Sequence, residues 1–412
     1  MSSFKKTARN YVARAAGHLM AASGDQVAKL FLCGGDPWPV YDRIREQGPV
    51  YRSRIGYSAV SSHELCTRVL RGPDFGFRDS TGTLNEYQRL PLGLAPSLLE
   101  LDPPEHGRLR RVVAPAFRAK QLAGYRPRIE QTAHRLLDRI GRTDEPFDII
   151  ADFAAPLPMK MICDLLGVPD DQYDEVSRCG TLTAQALDGP LPGRTATELA
   201  AAVTSLNELF TELADKRRGE RGSDVITVLV EAADQGQMSA DELLATCHLL
   251  LIAGFVTTVN LIGNGVFQFA RHPDAWASLR ENPELAGRAV EEVLRFDPPI
   301  PVTTRVCNTE AILAGQRIPA NSSVLTMLAS ANRDPEVYID PHTFDITRTD
   351  TPEHFAFAGG IHYCLGAQLA RIEGEVALRA LSERLPRIRL IGTPRLRPSK
   401  SVRGFLSLPI TA

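Results

Sequence analysis

One cysteine of this chain lies among glycines and directly before a helix-forming segment. It belongs to the run Phe357-Ala358-Gly359-Gly360-Ile361-His362-Tyr363-Cys364-Leu365-Gly366. Residues 365–385 are rich in Ala, Leu, Gln, Glu and Arg, which favour a helix, and Pro386 ends it. A helix N-terminus supplies partial positive charge and free N–H groups, which stabilise a thiolate. The pattern therefore predicts that Cys364 is a thiolate able to ligate iron.

The glycines of this run permit a tight loop whose backbone can lie against a flat macrocycle. Gly360 and Gly366 carry no side chain that would collide with such a group. Phe357 would shield the sulfur from water, and His362 would reach a propionate of the macrocycle. The alternative is an inert buried cysteine, which is how most lone cysteines of soluble chains behave.

The run resembles the cysteine loop of the cytochrome P450 family, whose pattern is Phe-Gly/Ser-x-Gly-x-Arg/His-x-Cys-x-Gly. Ala358 stands where the family has Gly or Ser, which we expect to be a mild change. The resemblance implies haem b (iron protoporphyrin IX) as the cofactor, with Cys364 as the iron ligand. It also implies a mainly α fold with small β-sheets: a triangular helical prism with the haem between a long distal helix and the proximal cysteine loop and helix.

A second match is Glu292-Val293-Leu294-Arg295, inside a predicted helix over residues 286–296. Glu292 and Arg295 share a helix face and can pair. Taken alone, this pattern is equally typical of an exposed ion pair of little energetic value. The resemblance implies a buried structural pair instead. Thr343 stands where many relatives have Arg, so we expect Arg333 to be the third member of the network.

A third match is a proline turn at residues 102–104 that leads into a helix with His106 and Arg110 on one face. Two donors at this spacing suit a haem propionate, because Arg offers a planar fork to a carboxylate. Arg108 and Arg111 are expected to be solvated. They would belong to a positively charged docking surface for an acidic electron donor.

A fourth match is the apolar run 249–264, which predicts a long helix containing Ala253-Gly254-Phe255-Val256-Thr257-Thr258. In the P450 family this helix crosses the distal face of the haem. Ala253 and Gly254 would leave space beside the iron, and Thr257 would hydrogen-bond the bound dioxygen or its water. Alternatively, the Thr hydroxyl bonds a carbonyl one turn back in its own helix.

Val256 departs from the family, which usually has Asp or Glu at this position for proton delivery. An isopropyl group cannot carry a proton, so another route is needed if dioxygen is to be cleaved. Asn260, one turn further on, would hold a relay of waters. Otherwise a hydroxyl or carboxyl group of the substrate would act in its place, which would make turnover partly substrate-assisted.

The resemblance also assigns a largely apolar substrate lining and a further propionate ligand, Arg305. The predicted lining residues are Leu250, Phe255, Val256, Ile300, Val302 and Phe405. Ordinary strand packing explains Ile300 and Val302 equally well. By analogy with the family, the substrate would be a mainly apolar specialised metabolite, such as a polyketide, macrolide or terpenoid.

Composition favours a large soluble enzyme. The chain has 412 residues, 43% of them hydrophobic, and a net charge of -2, which argues against a nucleic-acid surface. Its seven cysteines show no CxxC spacing, which is typical of a reducing compartment rather than of a disulfide framework. We therefore expect a cytoplasmic protein.

Residues 1–35 are predicted to form an N-terminal extension that is helical. Its basic, alanine-rich composition favours a surface helix over residues 5–20. No apolar stretch there is long enough for a signal peptide or a membrane anchor. Residues 36–412 would form a single P450 domain. The sequence leaves the oligomeric state open.

These observations predict a haem-thiolate monooxygenase. It would hydroxylate or epoxidise its substrate with dioxygen and two electrons from NAD(P)H, delivered by ferredoxin reductase and ferredoxin. One alternative keeps the fold and haem but runs peroxide-driven, C–C or C–O coupling, dehydration or isomerisation chemistry, for which Val256 is the support. The other is a non-catalytic haem- or ligand-binding protein.

Overall fold

A computed structural model describes residues 17–32, 36–84, 92–141, 144–188, 193–220, 222–349, 352–399 and 401–412. They fall into two compact units. The first unit comprises Met1–Gln88, Ile300–Pro341 and Pro352–Ile361, and the second comprises Arg89–Pro299, His342–Thr351 and His362–Ala412. Of the expected N-terminal extension, residues 1–16 and 33–35 lie outside the described part, and residues 17–22 are helical.

The described residues are mainly helical, with short strands, as the sequence predicts. In chain order the helices are α1 (Gln26–Leu32), α2 (Trp38–Glu46), α3 (His63–Arg71), α4 (Glu105–Val113), α5 (Ala119–Ala123), α6 (Arg126–Ile140), α7 (Pro156–Leu166), α8 (Tyr173–Ala184), α9 (Gly193–Gly219), α10 (Val225–Asp234), α11 (Ala240–Arg271), α12 (Pro273–Glu281), α13 (Ala286–Phe296), α14 (Leu328–Ala331) and α15 (Ala367–Arg384).

The strands are two to five residues long. In chain order they are β1 (Val50–Arg52), β2 (Tyr57–Val60), β3 (Phe75–Gly76), β4 (Phe147–Asp148), β5 (Thr303–Cys307), β6 (Ala311–Leu313), β7 (Gln316–Ile318), β8 (Ser323–Thr326), β9 (Arg389–Leu390), β10 (Arg395–Leu396), β11 (Phe405–Ser407) and β12 (Pro409–Thr411).

The first unit is built on a five-stranded sheet with the order β1-β2-β8-β5-β3. Strands β2 and β8 are parallel, with Tyr57 opposite Ser323, and the other neighbours are antiparallel. Helix α3 packs on this sheet. The Ser62 hydroxyl caps its first turn by accepting the N–H of Leu65, and its apolar face is buried.

The second unit is mostly helical, with the three-stranded sheet β4-β12-β9 and the pair β10-β11. Its central element is α11, which starts at a capping box formed by Ser239 and Glu242. Among the described residues, α11 is the one helix long and apolar enough to cross a membrane, and most of its apolar window is buried. Helices α13 and α15 pack against it. This arrangement brings the turn before α15, which carries Cys364, into the same unit as α11.

Candidate active site

Cys364 lies two residues before the N-cap of α15, where the sequence placed a helix start. Its side chain is exposed. Desolvation by the surrounding protein raises the pKa of the Cys364 thiol above its usual value, and the N–H of Gly366 and the guanidinium groups of Arg110 and Arg371 offset part of that rise. One N–H donor and two cations thus favour the thiolate, which is the form that binds a metal, against the effect of desolvation.

Arg371 is a residue of this site that the sequence analysis did not identify. Its guanidinium holds Glu291 at two atoms, with Nε 2.7 Å from Oε1 and Nη2 3.1 Å from Oε2, and Nη1 lies 3.3 Å from the Tyr363 hydroxyl. The net effect of these partners is to raise the pKa of Arg371 although its burial lowers it. Its position could have identified it, because Arg371 lies seven residues, or about two helical turns, after Cys364.

His106, Arg110 and His362 come together in the second unit. The rings of His106 and His362 are 4.3 Å apart between centroids, and Arg110 Nη2 donates to the Tyr363 carbonyl at 2.7 Å. His106 Nε2 is buried without a hydrogen-bond partner among the described residues. Burial, followed by repulsion from His362 and Arg110, lowers the pKa of His106 to about 4.

This donor set fits haem. A buried imidazole nitrogen without a partner, next to a guanidinium, suits a carboxylate group such as a propionate. The thiol held by an N–H and two cations suits the iron. His106 and Arg110 would therefore hold a propionate, and Cys364 would hold the metal.

Arg305 lies in the first unit, on β5. It is 3% exposed, its guanidinium carbon lies 4.4 Å from the centre of the Phe77 ring, and Nη1 donates to the Thr304 carbonyl at 2.9 Å. Its role toward a propionate remains a prediction. The same holds for Phe357, which is buried in this unit with its ring 5.8 Å from that of His354.

The backbone before the cysteine corrects two expectations. Gly360 has φ +65°, and a Cβ there would overlap the carbonyl oxygen of Leu70, so α3 already requires this glycine. Ala358 has φ 56° and ψ -141°, a region that suits glycine. Compared with Gly, Ala at this position is therefore not a mild change, because strain of this kind costs about 1–3 kcal/mol. Compared with Ser it is mild, since both residues carry a Cβ.

The predicted lining residues of the first unit pack into its apolar core. Val302 is buried in a cluster with Tyr41 and Leu325, and Ile300 packs against a second cluster that includes Leu70. The alternative of ordinary strand packing therefore describes both residues. Their proposed contact with a substrate is not supported by these contacts.

Helix α11 has one open face, formed by residues four apart. Ala253 is exposed, and Leu249 and Thr257 are partly exposed. Phe255 is 6% exposed. It follows Ala253 by two residues, so the two side chains point about 160° apart around the helix axis. The direction of the Phe255 side chain does not support its predicted contact with the substrate. Leu250 and Val256 flank the open face but are 7% and 1% exposed.

Gly254 has a packing role in addition to the expected one. A Cβ at this position would lie 2.8 Å from Cδ1 of Ile162, so the glycine lets α7 pack against α11. The following threonines bond their own helix: Thr257 Oγ1 donates to the Ala253 carbonyl at 2.8 Å, and Thr258 Oγ1 to the Gly254 carbonyl at 3.3 Å. The Thr257 oxygen keeps its acceptor capacity toward the open face.

Asn260 is 1% exposed, and neither polar atom of its amide has a hydrogen-bond partner among the described residues. It packs against Gly404, where a Cβ would overlap the amide oxygen. The next residue, Phe405, is buried, with its ring 4.9 Å from the Phe267 ring. Phe405 therefore packs on α11, and no contact supports its predicted place in the pocket.

Glu292 and Arg295 form a buried pair, with Nε–Oε2 and Nη2–Oε1 distances of 2.7 and 2.8 Å. The Asp345 N–H donates to Glu292 at 2.8 Å, and Arg348 Nε lies 3.6 Å from it. Arg348 is thus the third member of this network and its second cation, and all three lie in the second unit. The expected member, Arg333, lies in the first unit with its guanidinium over the Trp38 ring.

The expectation for Arg108 is also corrected. Its guanidinium donates to the Glu242 carboxylate, with Nη1 3.1 Å from Oε2, and to the Gln237 carbonyl at 2.7 Å. It therefore links α4 to the start of α11 instead of standing free for an acidic partner. Arg111 is exposed, as expected.

The fold and this site define a haem-thiolate enzyme. Residues 29–385 match the family model for cytochrome P450. The chain belongs to the cytochrome P450 family, is a monooxygenase of the soluble bacterial type and binds haem b.

Similar proteins come from several actinobacteria. The monooxygenase PikC of Streptomyces venezuelae is 38% identical over 388 residues, covering 91% of each chain. The 6-deoxyerythronolide B hydroxylase of Saccharopolyspora erythraea is 42% identical over 70% of each chain. The ligand-free crystal structure of CYP164A2 from Mycobacterium smegmatis has a TM-score of 0.84 and 36% identity, covering 94% of this chain and 99% of that one.

Proposed function

We propose that this monooxygenase hydroxylates or epoxidises a mainly apolar specialised metabolite, such as a polyketide, macrolide or terpenoid. The observation that carries the proposal is the open face of α11, on which Leu249 and Ala253 are apolar and Thr257 supplies a hydroxyl group. An apolar surface with few polar groups is typical of small-molecule sites. The named activity of the 6-deoxyerythronolide B hydroxylase supports the substrate class.

The bound haem supplies the activation of dioxygen and the insertion of one oxygen atom into the substrate. The chain's own residues hold and orient it. Gly366, Arg110 and Arg371 favour the thiolate form of Cys364, which would ligate the iron. His106 and Arg110, with His362, would bind a propionate. Ala253 leaves room on the distal side, and the Thr257 oxygen accepts a hydrogen bond there.

Proton delivery cannot use the usual acid, because Val256 is apolar and 1% exposed. The buried Asn260 amide packs against Gly404 and does not support the predicted water relay. A hydroxyl or carboxyl group of the substrate would then bring the proton. Substrate-assisted turnover predicts that Val256→Asp is slower with the true substrate and no less tightly coupled. A large gain in coupled rate in that variant would remove the hypothesis.

Electrons would come from NAD(P)H through a ferredoxin reductase and a ferredoxin in the cytoplasm. Of the two arginines predicted to contact the acidic ferredoxin, Arg111 is exposed and can form that contact. The buried Val256 also favours a second candidate, in which the same haem site runs peroxide-driven, coupling, dehydration or isomerisation chemistry. The stoichiometry of NADH, dioxygen and product separates the two candidates, because the monooxygenase uses one NADH and one dioxygen for each oxygenated product that it forms.

The first experiment is the carbon monoxide difference spectrum of the dithionite-reduced protein. Wild type is expected to show a Soret band shifted far to the red, and Cys364→Ala is expected to lose it. Cys247→Ala, a buried cysteine of α11, is the matched control and should keep the band. A histidine-type spectrum of the wild type would overturn the proposed function.

Binding of candidate substrates is then followed by the Soret shift that accompanies displacement of water from the iron. Apolar macrolactones and terpenoids are expected to produce the shift. If such compounds bind but are never turned over with a ferredoxin system, the protein is a haem-containing binding protein instead.

A further inference from the structure

Tyr363, the residue directly before Cys364, is held at both of its ends. Its backbone carbonyl accepts a hydrogen bond from Nη2 of Arg110 on α4 at 2.7 Å, and its hydroxyl accepts one from Nη1 of Arg371 on α15 at 3.3 Å. The carbonyl belongs to the peptide bond that joins Tyr363 to Cys364. Two helices thus fix the residue on which the position of the thiolate depends.

A third helix holds the guanidinium of Arg371. Glu291 of α13 accepts from Arg371 Nε at 2.7 Å and from Nη2 at 3.1 Å, while Nη1 donates to Tyr363. Two such parallel bonds to a carboxylate fix the plane of a guanidinium. Both side chains of this pair are partly exposed, so the pair contributes little to stability. Its position beside the ligand residue indicates a role toward Cys364.

The two charges of this pair act on the thiolate in opposite directions. A guanidinium is not deprotonated in proteins, so Arg371 stays a cation. It is one of the two cations that lower the pKa of the Cys364 thiol. Glu291 binds two nitrogens of the same guanidinium, and its negative charge offsets part of the positive charge. The sulfur therefore experiences the difference between the two charges.

A cation near the thiolate stabilises the reduced iron, which carries one electron more, and an anion has the opposite effect. We propose that Glu291 and Arg371 set the reduction potential of the iron held by Cys364, and that Tyr363 keeps the guanidinium in place. The three residues act through the ligand and are positioning residues. Haem binding by Cys364 is required for this effect, whereas the substrate proposed above is not.

A spectroelectrochemical titration of the substrate-free holoenzyme measures the potential. Arg371→Gln removes the cation and should make the potential more negative, and Glu291→Gln removes the anion and should make it more positive. Each change should be about threefold or more in the reduction equilibrium, where tenfold corresponds to about 59 mV for one electron. The double variant has neither charge, and its potential should fall between those of the two single variants.

Two milder variants separate the charge from the hydrogen bonds. Arg371→Lys keeps the charge but loses the planar fork, so its potential should stay much closer to that of the wild type than the potential of Arg371→Gln. Tyr363→Phe removes the hydroxyl contact and leaves both charges, so it should give a smaller shift in the direction of Arg371→Gln. Equal shifts in Arg371→Lys and Arg371→Gln would show a purely structural role and overturn the inference.

The pair of Arg126 and Glu375 is the matched control. It also joins a neighbouring helix, α6, to α15 through two contacts, of 3.2 and 3.0 Å, and both side chains are partly exposed. Arg126→Gln and Glu375→Gln change the net charge by the same amounts and should leave the potential at the wild-type value. Shifts as large as those of Arg371→Gln and Glu291→Gln would show a general effect of surface charge, which overturns the inference.

The carbon monoxide spectrum of each variant is recorded first, so that only proteins with thiolate ligation are compared. Wild-type potentials in both Arg371→Gln and Glu291→Gln would overturn the inference. If Arg371→Gln loses its haem, the opposite sign expected for Glu291→Gln and the small shift expected for Arg371→Lys still decide the question. If the wild type itself lacks the thiolate spectrum, the proposed function fails as well.

Discussion

Two buried glutamates of the second unit have opposite surroundings. Glu292 is 4% exposed, and its carboxylate is met by Arg295 at two atoms, by Arg348 and by the N–H of Asp345. Glu373 is 1% exposed, and Thr258 is the partner that acts on its pKa. The same side chain is thus placed once among cations and N–H donors and once beside a single hydroxyl.

The difference shows what decides the charge of a buried carboxyl group. Desolvation favours the neutral acid, and cations and hydrogen-bond donors offset it. Glu292 has two guanidinium groups and an N–H donor, and it joins α13 to the segment around Thr343. Glu373 lacks comparable partners among its named contacts, so burial raises its pKa to about 8. The first environment links two segments of the chain, and the second favours a neutral carboxyl group.

The largest expected effect comes from breaking the charged network. Glu292→Gln leaves Arg295 buried without its carboxylate and should lower the free energy of unfolding by about 3–5 kcal/mol. Urea unfolding measures this change. Glu284→Gln is the control, because its pair with Arg379 is 79% exposed on the Glu284 side and should contribute at most about 1 kcal/mol. Equal losses in the two variants would contradict the distinction.

Glu373 should act on stability with a pH dependence. In the unfolded chain the carboxyl titrates near 4.5, and in the folded protein near 8, so the folded state binds more protons between these values. Stability should therefore fall as pH rises through this window, by at most about 1.4 kcal/mol per pH unit.

Glu373→Gln should remove that slope, and Glu375→Gln should keep it. Urea unfolding of the three proteins at several pH values between 5 and 8 gives the comparison. A variant slope parallel to that of the wild type would show that Glu373 is already ionised in the folded protein.

Asn260 offers a third environment, in which a neutral buried group packs against a backbone. Gly404→Ala would place a Cβ on the Asn260 amide and should lower the free energy of unfolding by about 1–3 kcal/mol. Adding Asn260→Ala removes the amide that the methyl group overlaps, so the double variant should recover part of the loss. Losses that simply add in a thermal or urea unfolding series would show that the two residues are not in contact.

The smallest effect is expected from Asn260→Leu. Its amide has no partner among the described residues, so an apolar replacement leaves no group unpaired and should change stability by less than about 1 kcal/mol. Asn264→Leu is the contrast, one turn further on. Asn264 Nδ2 donates to the Asp297 carbonyl at 2.9 Å, and its loss should cost about 1–3 kcal/mol.

The regular elements around the site were largely predictable from the sequence. The helix over residues 286–296 agrees with α13, and the helix predicted over 365–385 corresponds to α15. Both follow from local rules, since helix formers, a glycine before the first turn and a proline after the last act within a few residues. The gathering of His106, Arg110 and His362 followed from motifs that belong together in the family.

The predictions that the structure does not support concern directions and partners. Phe255 lies in the same apolar run as the open face of α11 but points to its far side, and Arg348 takes the position expected of Arg333. Composition does not distinguish two apolar residues two positions apart, and spacing does not show which arginine reaches a buried carboxylate. Gly254 and Gly360 illustrate the same limit, because their neighbours Ile162 and Leu70 come from distant parts of the chain.

By itself, the sequence determined the family, the thiolate position of Cys364, the helix that follows it and the absence of an acid at Val256. These are properties of residue identity and near neighbours. Only the tertiary structure decided which side chains are buried together: Glu373 with Thr258, Asn260 with Gly404, and Glu292 with Arg348. Burial sets the energetic effect of every polar group, and burial is fixed by packing between segments far apart in the chain.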